Sequence, residues 1–197
     1  MSGEPDFDSP LPRSFYERPV RVVARELLGC YLVHRVRSRY LGGRIVETEA
    51  YGGPGDPGSH ADRAPSGRAK IMFGPAGIAY VYFTYGMHHC MNAVTAKEGK
   101  GSAVLIRALE PVWGIRSMRT GAPESLPDHR LASGPGRLCR ALGVDKKLNG
   151  SDLTAGSLRI LPGEPRTKVH SGERVGLTLD DHREWRYWLD SKAVSRR

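Results

Sequence analysis

Residues 44–92 set the main limits on the fold of this chain, because strand-forming and loop-forming segments alternate there. Residues 44–51 follow the period-two pattern of a β-strand. Residues 52–77 are rich in Gly and Pro, and the β-branched and aromatic run 78–83 comes next. These patterns predict two parts of a sheet joined by a long loop. A loop of this length in a compact domain is usually functional or disordered.

A helix and a first strand are predicted ahead of this region. Residues 19–28 combine a proline suited to a first helical turn with an apolar stripe, and Gly29 can end the helix. Residues 30–36 predict a strand, and residues 38–43 predict a polar turn. Residues 44–51 are then expected to return as the antiparallel partner of that first strand.

The strand at 44–51 carries the main candidate for a catalytic acid or base. Side chains alternate along a strand, so one face is predicted to hold Ile45, Glu47, Glu49 and Tyr51. Glu49 is a candidate general base acting on water, and the alternative is a paired surface carboxylate. Two carboxylates also suit glycoside chemistry, but two side chains that leave one short strand together cannot easily flank a sugar.

The tyrosines after the loop predict a hairpin with an aromatic tip. Tyr80 and Tyr82 share a face by period two, and Tyr85 lies at the turn that contains Gly86. Aromatic side chains in strands most often pack in a core or against a partner strand. Together with Tyr51, they also fit a stacking site for a base, and Tyr85 could wedge into a base stack.

The remaining segments predict further strands and two short helices. Residues 102–109 form an apolar strand with one charge, Arg107, which needs a carboxylate or a ligand if it is buried. An arginine at a strand end that reaches solvent is the alternative. The other predicted elements are a strand at 88–94, helices at 111–119 and 133–142, and strands at 158–161, 174–179 and 184–189. The start of the helix at 133–142 lies next to Arg137, which suits either a bound phosphate or a plain helix cap.

Composition favours a polyanionic partner and a single domain. The chain has 30 Lys plus Arg against 21 Asp plus Glu, so its formal net charge is 30 − 21 = +9. Neutralising phosphates releases counterions and gives affinity for nucleic acid, although net charge also serves solubility. With 197 residues and 39% hydrophobic content, the chain can bury the core of one domain.

Several classes of site are not expected. Cys30, Cys90 and Cys139 are odd in number and widely spaced, which argues against a disulfide framework or a zinc site. The neighbours His88 and His89 point to opposite faces of a strand, so we predict no metal there. The glycine motifs that cradle phosphates are missing, and we predict no cofactor.

The cellular location is expected to be the cytoplasm. No apolar run is long enough to span a bilayer, and the acidic, Pro-rich start differs from a signal peptide. We expect residues 1–14 to form a flexible arm ahead of one domain at 15–197. The cysteine pattern also fits a reducing compartment.

Four long motifs carry a family resemblance, and they read RIVETEAYGGPGDPGSHADR, MFGPAGIAYVYFTYGMHHCMN, VLIRALEP and SGPGRLCRALGV. In this order they resemble the alkyladenine (3-methyladenine) DNA glycosylase family, meaning the mammalian-type enzymes and their bacterial relatives. The segment SFYERPVRVVARELLGC fits as well, so the resemblance runs from about Phe15 to the end of the chain. It implies a single mixed α/β (α+β) domain with a curved antiparallel sheet, a protruding hairpin and surrounding helices.

The resemblance also implies a function in DNA repair. Such an enzyme flips a damaged purine out of double-stranded DNA and hydrolyses its N-glycosidic bond, which leaves an abasic site. The implied substrate is 3-methyladenine, with 7-methylguanine, hypoxanthine and ethenoadenine as further candidates. The matched motifs place no lysine for a Schiff base, so we predict no strand cleavage. We expect a monomer.

The resemblance assigns catalytic roles to three residues. Glu49 matches the family's water-activating base, and Arg107 matches the arginine that helps to hold the water. Val175 matches the residue whose carbonyl completes the binding of that water.

Further residues are implied to bind the base and the DNA. The walls of the base pocket are implied to be Tyr51, His60, Tyr82 and Asn92. Asn92 discourages normal guanine through its exocyclic amine, and Tyr85 matches the intercalating tyrosine. We expect DNA contacts from Met72, Arg68 and Arg137.

Two stretches depart from the family pattern, residues 64–68 and the segment LTLDDHREWRYWLD near the end. Two other functions therefore stay open at this point. One is a catalytically silent protein that binds damaged or distorted DNA. The other is a hydrolase that acts on free nucleosides.

Overall fold

An antiparallel sheet that curls into a half-barrel forms the frame of the protein in a computed structural model, which describes residues 3–63, 65–163, 168–177 and 182–195. The strands are β1 (Tyr31–Val36), β2 (Arg39–Tyr51), β3 (Ala79–Thr84), β4 (His88–Thr95), β5 (Ser102–Trp113), β6 (Leu158–Leu161), β7 (His170–Gly172) and β8 (Arg186–Trp188). The α-helices are α1 (Arg13–Tyr16), α2 (Val20–Glu26), α3 (Ile115–Met118) and α4 (Pro135–Leu142). Short 3₁₀ helices cover Gly67–Phe73, Asp128–Arg130 and Lys146–Leu148.

The strands lie in the order β3-β4-β5-β2-β1-β6. β2 is long enough to pair with two different strands along one edge. Its first half pairs with β1, and Glu47, Thr48 and Glu49 pair with β8, which in turn pairs with β7. The mixed α/β domain with a curved antiparallel sheet, predicted from the sequence, is confirmed.

Alternation along the strands separates a core face from a site face. In β3, Ala79 and Val81 belong to the main core, whereas Tyr80 belongs to a second cluster on the other face, against which Tyr82 packs. The main core also holds the buried side of α2, including Val23, and that of α4. The other face of the same strands is therefore left to form a site.

Three register shifts interrupt the pairing of β2 with β5, one between Gly42 and Gly43 and two around Glu47. Ile45 pairs with Leu109 and Glu47 with Ala108, while Thr48 already pairs with Ile106. Val46 and Arg107 are the extra residues, and each one reverses the alternation locally. The prediction that Ile45 shares a face with Glu47 is wrong for this reason, because Ile45 packs in the main core.

The predicted hairpin and the helices around it are largely confirmed. β3 and β4 pair from Ala79–Ala93 to Thr84–His88, and Tyr85 lies at the turn with a φ of 51°. α2 falls inside the predicted range 19–28. α4 ends at Gly143, whose φ of 64° gives the left-handed cap that glycine favours.

Three predicted boundaries are wrong. The polar turn at 38–43 is mostly strand, because the turn needs only two residues and Val36 already pairs with Arg39. The helix predicted at 111–119 starts as strand, because β5 keeps pairing with β2 up to Trp113. The strand predicted at 174–179 is absent over 174–177, where the chain turns, and 178–179 lie outside the described residues.

The N-terminal segment packs on the sheet over the residues that the structure describes. Phe7 is only 3% exposed, and Arg159 donates a hydrogen bond from Nη1 to its carbonyl oxygen. The backbone N–H of Leu11 donates to the carbonyl of Ile160 in β6. Phe7 and Leu11 therefore pack against the domain, and the flexibility of residues 1–14 stays a prediction.

In the described part of the chain, no helix has the length and apolar character needed to cross a membrane.

A close approach of β2 to β5 gives a test of the fold. A Cβ atom added at Gly43 would lie 2.2 Å from the carbonyl oxygen of Glu110, which is backbone and cannot move aside. We expect Gly43→Ala to lower the free energy of unfolding by about 1–3 kcal/mol or more, measured by urea denaturation. The control is Gly3→Ala, whose methyl group would meet no atom within 4 Å. Equal stability of the two variants would contradict this packing.

Candidate active site

A cavity of about 240 Å³ opens on the site face of β2, β3, β4 and β5. Its lining combines aromatic rings with a few polar groups. The side chains that line it include Tyr51, His60, Met72, Tyr80, Tyr82, Cys90, Asn92, Leu105, Arg107 and Leu177. A cavity of this size suits one small ring system and not an extended ligand. The sheet therefore holds a small aromatic pocket.

Glu49 lies directly behind this lining and is 0% exposed. Its Oε1 accepts a hydrogen bond from the backbone N–H of Val175 at 2.7 Å. Its Oε2 accepts from the Tyr51 hydroxyl at 2.9 Å and from Arg107 Nη1 at 3.2 Å. A carboxylate can accept about four hydrogen bonds, so Oε1 keeps room for one more donor. Val175 therefore lies next to Glu49 and binds it through its N–H, and the role of its carbonyl toward water stays a prediction.

Arg107 lies between two buried carboxylates. Its Nε donates to Glu47 Oε1 at 3.0 Å, while Nη1 donates to Glu49. Burial by itself lowers the pKa of Arg107, but the charges of Glu49 and Glu47 outweigh it and raise the pKa above its ordinary value. The buried arginine predicted to need a carboxylate therefore has two, and it stays a cation.

Glu47 differs from Glu49 in the partners that surround it. It accepts hydrogen bonds from Arg107 Nε, from Arg186 Nε at 2.8 Å, and from both the backbone N–H and the hydroxyl of Ser195 at 2.7 and 2.9 Å. Arg186 and Ser195 are not among the residues that line the cavity, whereas Glu49 binds Tyr51, which does line it. Glu49 is therefore the better placed base.

Tyr51 serves as a hydrogen-bond donor to Glu49. Burial, and then the charge of Glu49, raise the pKa of the Tyr51 phenol well above its ordinary value, so the hydroxyl keeps its proton. The guanidinium of Arg174 lies 4.7 Å from the centroid of the Tyr51 ring. Tyr51 is thus fixed at its hydroxyl by Glu49 and at its ring by Arg174.

An aromatic wall forms the opposite side of the cavity. The rings of His60 and Tyr82 meet edge to face at 4.7 Å, and those of Tyr80 and Tyr82 lie 5.1 Å apart. His60 Nδ1 is 2.9 Å from the Tyr80 hydroxyl. Burial raises the pKa of Tyr80 to about 12, which keeps it protonated. Partial burial, and then the nearby Arg68, lower the pKa of His60, which keeps it neutral near pH 7.

Two side chains of β4 complete the floor. Asn92 is buried, and its amide nitrogen donates to the Tyr80 carbonyl at 3.0 Å. Cys90 lies two residues earlier on the same face, and burial raises the pKa of its thiol. The alternation that identified Tyr80 and Tyr82 in β3 could also have identified Cys90 from the position of Asn92.

The loop beside the cavity is organised around the carboxylate of Asp56. Both oxygens of Asp56 bind the Arg174 guanidinium, at 2.7 and 2.8 Å, and Oδ2 also accepts the backbone N–H of Gly52 at 2.7 Å. A Cβ atom added at Gly58 would lie 2.7 Å from the Leu177 side chain. The loop after β2 and the segment 174–177 are therefore clamped together next to Glu49.

The hairpin tip stands apart from this rigid wall. Tyr85 is 81% exposed and Met87 is 68% exposed, and Phe83 is also largely exposed. Tyr85 still lies on the rim, because it is among the residues that line the cavity. The predicted position of Tyr85 at the tip is confirmed, and its intercalating role stays a prediction.

The predicted DNA contacts fall in three different places. Arg68 lies at the mouth of the cavity, with its guanidinium 5.3 Å from the centroid of the Tyr82 ring. Arg137 is exposed in a groove between α4 and the hairpin. Met72, expected on a DNA-facing loop, is only 2% exposed and packs beneath the cavity. Ala64, the first residue of the departing stretch 64–68, lies outside the described residues.

The sequence did not identify the residues that support the base. These are Glu47 as an ion-pair centre, Asp56, Arg174, Arg186 and Ser195. The only local signal was that charged residues stand within apolar segments. Their partners lie up to 148 positions away, so no spacing rule could pair them.

The described residues hold no group of three or more His, Cys, Asp or Glu side chains arranged for a metal ion.

A buried carboxylate behind an aromatic pocket suits a class of enzymes that bind a planar ring next to a carboxylate able to act as a general base. The sequence model of the methylpurine-DNA glycosylase family matches residues 14–193 of this chain. The chain belongs to the methylpurine-DNA glycosylase family, and it is therefore an N-glycosylase of DNA repair.

Relatives from diverse organisms agree with this assignment. Three of them carry the name "Putative 3-methyladenine DNA glycosylase". The protein from Carboxydothermus hydrogenoformans is 47% identical over 95% of this chain and 99% of its own length. Those from Methanoculleus marisnigri and Streptomyces avermitilis are 48% and 46% identical, over 95% and 97% of this chain and 99% and 92% of their own lengths. The resemblance read from the sequence is confirmed.

The Asp56–Arg174 pair is predicted to hold the loop clamp together. Both side chains are buried, so neutralising Asp56 weakens the two-point binding of a buried guanidinium. We expect Asp56→Asn to lower the free energy of unfolding by about 3–5 kcal/mol, measured by urea denaturation. The matched control is Asp8→Asn, which removes a partner of Arg159 that is 89% exposed and should cost about 0–1 kcal/mol. If Asp56→Asn lowered the free energy of unfolding no more than Asp8→Asn does, the clamp would be refuted.

Arg68 is predicted to hold down the pKa of His60. Its positive charge disfavours the imidazolium, so Arg68→Ala should raise the pKa of His60 toward its ordinary value of 6.5. Burial remains in the variant, and the pKa should therefore stay below that value. An NMR titration of the His60 ring measures this shift, with Arg63→Ala in the same loop as the control. An unchanged titration in Arg68→Ala would exclude the interaction.

Proposed function

We propose that this protein hydrolyses the N-glycosidic bond of alkylated purines in double-stranded DNA, with 3-methyladenine as the main substrate. It releases the free base, leaves an abasic site and does not cut the strand. Family membership supports a DNA glycosylase, and the names of the relatives support 3-methyladenine. We extend the proposal to 7-methylguanine, hypoxanthine and ethenoadenine as further substrates.

The single observation that carries this proposal is the state of Glu49. It is a fully buried carboxylate behind an aromatic cavity, and it accepts hydrogen bonds from Val175, Tyr51 and Arg107. A carboxylate with a remaining acceptor position can take a proton from a water molecule.

The lining of the cavity suits a positively charged base. An N-alkylated purine is a cation, and aromatic faces attract cations through their quadrupole. Tyr82 and His60 offer such faces on one wall, and Tyr51 lines the cavity on the side of Glu49. The alkyl group also weakens the glycosidic bond, so the leaving base needs little further activation.

The reaction then follows from the charges around the sugar. As the bond to the base breaks, positive charge develops on the sugar, and the carboxylate of Glu49 stabilises it. Glu49 takes a proton from water as the water oxygen attacks the sugar carbon. Arg107 holds the Glu49 carboxylate in orientation. We assign no Schiff base, because no lysine lines the cavity in the described residues.

Selection among bases is assigned to Asn92. Its buried amide donates to the Tyr80 carbonyl, which fixes its orientation toward the cavity that it lines. We propose that it meets the exocyclic amine of guanine unfavourably, because a buried polar group left without a partner is costly. Adenine carries no amine at the ring position where guanine carries this exocyclic amine.

DNA engagement is assigned to the hairpin and to surface cations. Tyr85 at the exposed tip enters the base stack and holds the flipped nucleotide out. Arg68 and Arg137 contact phosphates, in keeping with the net charge of +9. Met72 supports this surface from beneath the cavity. We further propose that the protein acts as a monomer in the cytoplasm.

Glu49→Gln tests the proposal most directly. The amide keeps the size of the side chain but cannot accept a proton, so single-turnover release of 3-methyladenine should fall by about 10²–10⁴-fold. Binding to a duplex that contains an abasic-site analogue should change little. Base release is measured by chromatography of free base, and abasic sites are measured by alkaline cleavage.

The matched control is Glu110→Gln, which changes a partly exposed glutamate of β5 that pairs with Arg44. It should keep the wild-type rate. Tight binding to lesion DNA without base release by the wild type would instead support a silent DNA-binding protein. Activity on a free nucleoside but not on duplex DNA would support a nucleoside hydrolase.

A further inference from the structure

We propose that Glu47 and Ser195, a residue near the end of the chain, form a positioning unit that fixes the Arg107 guanidinium against Glu49. This inference rests on the proposed function of Glu49 as the base. Ser195 lies two residues beyond the stretch 14–193 that the family model matches. The unit touches no substrate, and it acts through Arg107.

The first argument is the geometry of Arg107, each of whose three guanidinium nitrogens has a separate partner. Nε donates to Glu47, Nη1 donates to Glu49 and Nη2 donates to the Ser195 hydroxyl at 3.3 Å. A planar guanidinium held at three points cannot rotate about its own axis. The orientation that Arg107 presents to Glu49 is therefore set by Glu47 and Ser195.

The second argument is the chemistry of the Ser195 hydroxyl. It donates its proton to Glu47 at 2.9 Å and accepts from Arg107 Nη2, so it uses both of its hydrogen-bonding roles. The backbone N–H of the same residue donates to the other oxygen of Glu47 at 2.7 Å. Ser195 thus holds the carboxylate and the guanidinium together from one position.

The third argument is that the segment carrying Ser195 is itself anchored. Ala193 is fully buried, and the carbonyl of Val194 accepts hydrogen bonds from Arg130 and from the Ser133 hydroxyl. Arg186 of β8 donates to Glu47 and also to the Ser195 carbonyl at 3.3 Å. The segment 193–195 therefore acts as a fixed latch over the ion pairs and not as a loose end.

The charges explain why such a latch is needed. Glu47 and Glu49 are buried on one face of β2, two residues apart, and two like charges in a low dielectric repel each other. Arg107 and Arg186 balance them. If Glu47 lost its other donors, Arg107 could turn fully toward one carboxylate. The remaining acceptor position of Glu49 would then be lost to the arginine.

The experiment compares Ser195→Ala with Ser195→Thr, which keeps a hydroxyl. Loss of the hydroxyl that bridges the Arg107 guanidinium and the Glu47 carboxylate misplaces Arg107, and a small misplacement of a group that orients the base reduces rates strongly. We expect Ser195→Ala to lower the single-turnover rate of base release about tenfold, with the Kd for lesion DNA within about twofold. Ser195→Thr should restore most of that rate.

Ser171→Ala is the matched control, because it removes an exposed serine hydroxyl of β7 that donates to Glu184 and touches neither the latch nor the ion pairs of Glu47. It should keep the rate within about twofold of wild type. In an Arg107→Lys background, Ser195→Ala should cause no further loss, since both changes act on one interaction. A full additional loss there would overturn the inference.

A readout without activity separates this inference from the proposed function. The Arg107 Nε–H donates to the buried Glu47, so its hydrogen exchange followed by NMR should be slow. Ser195→Ala should speed that exchange about tenfold, and Ser171→Ala should not. If the wild type releases no base, the proposed function fails, and the exchange rate still decides the inference. Unchanged exchange in Ser195→Ala, or an unchanged rate of base release, would overturn it.

Glu47→Gln serves as a second variant on the other half of the unit. It removes the charge that holds Arg107 Nε and keeps the shape of the side chain. We expect a larger drop in the single-turnover rate than with Ser195→Ala, about a hundredfold, with a retained Kd for lesion DNA. A wild-type rate in folded Glu47→Gln would refute the positioning unit.

Discussion

The placement of one guanidinium between two buried carboxylates governs the rest of this structure. Glu47 and Glu49 leave the same face of β2 into a region without solvent, where like charges repel strongly. Arg107 binds both, and Arg186 adds a second positive charge at Glu47. Removing any member would leave an uncompensated buried charge, which costs far more than a surface pair. The pairing of β2 with β5 and β8 must therefore bring these groups together.

The two carboxylates acquire different chemical properties from their surroundings. Glu47 accepts four hydrogen bonds, all from Arg107, Arg186 and Ser195, whereas Glu49 accepts three, one of them from the cavity-lining Tyr51. Oε1 of Glu49 accepts one hydrogen bond and can still receive a proton next to the cavity lining. One residue of the strand is therefore structural, and its neighbour two positions later is available for chemistry. The difference arises from donors supplied by Val175, Arg186 and Ser195.

Rigid and exposed parts of the site are kept separate. The clamp between Asp56 and Arg174 fixes the loops beside the cavity, and the aromatic wall packs on the sheet. This order preorganises the polar groups, so they need little rearrangement at the moment of reaction. The hairpin tip with Tyr85 projects into solvent, where it is free to meet a partner. The hairpin strands β3 and β4 thus carry both the fixed aromatic wall of the pocket and the exposed tip with Tyr85.

The sequence by itself determined the local elements, because period-two and period-3.6 patterns are written in neighbouring residues. It predicted α2, the hairpin with Tyr85 at its tip, and the shared face of Glu49 and Tyr51. Only the tertiary structure decided where β5 ends, how the bulges at 46 and 107 redirect side chains, and which carboxylate each arginine meets. Those outcomes depend on strand pairing between distant segments, and no local pattern encodes them.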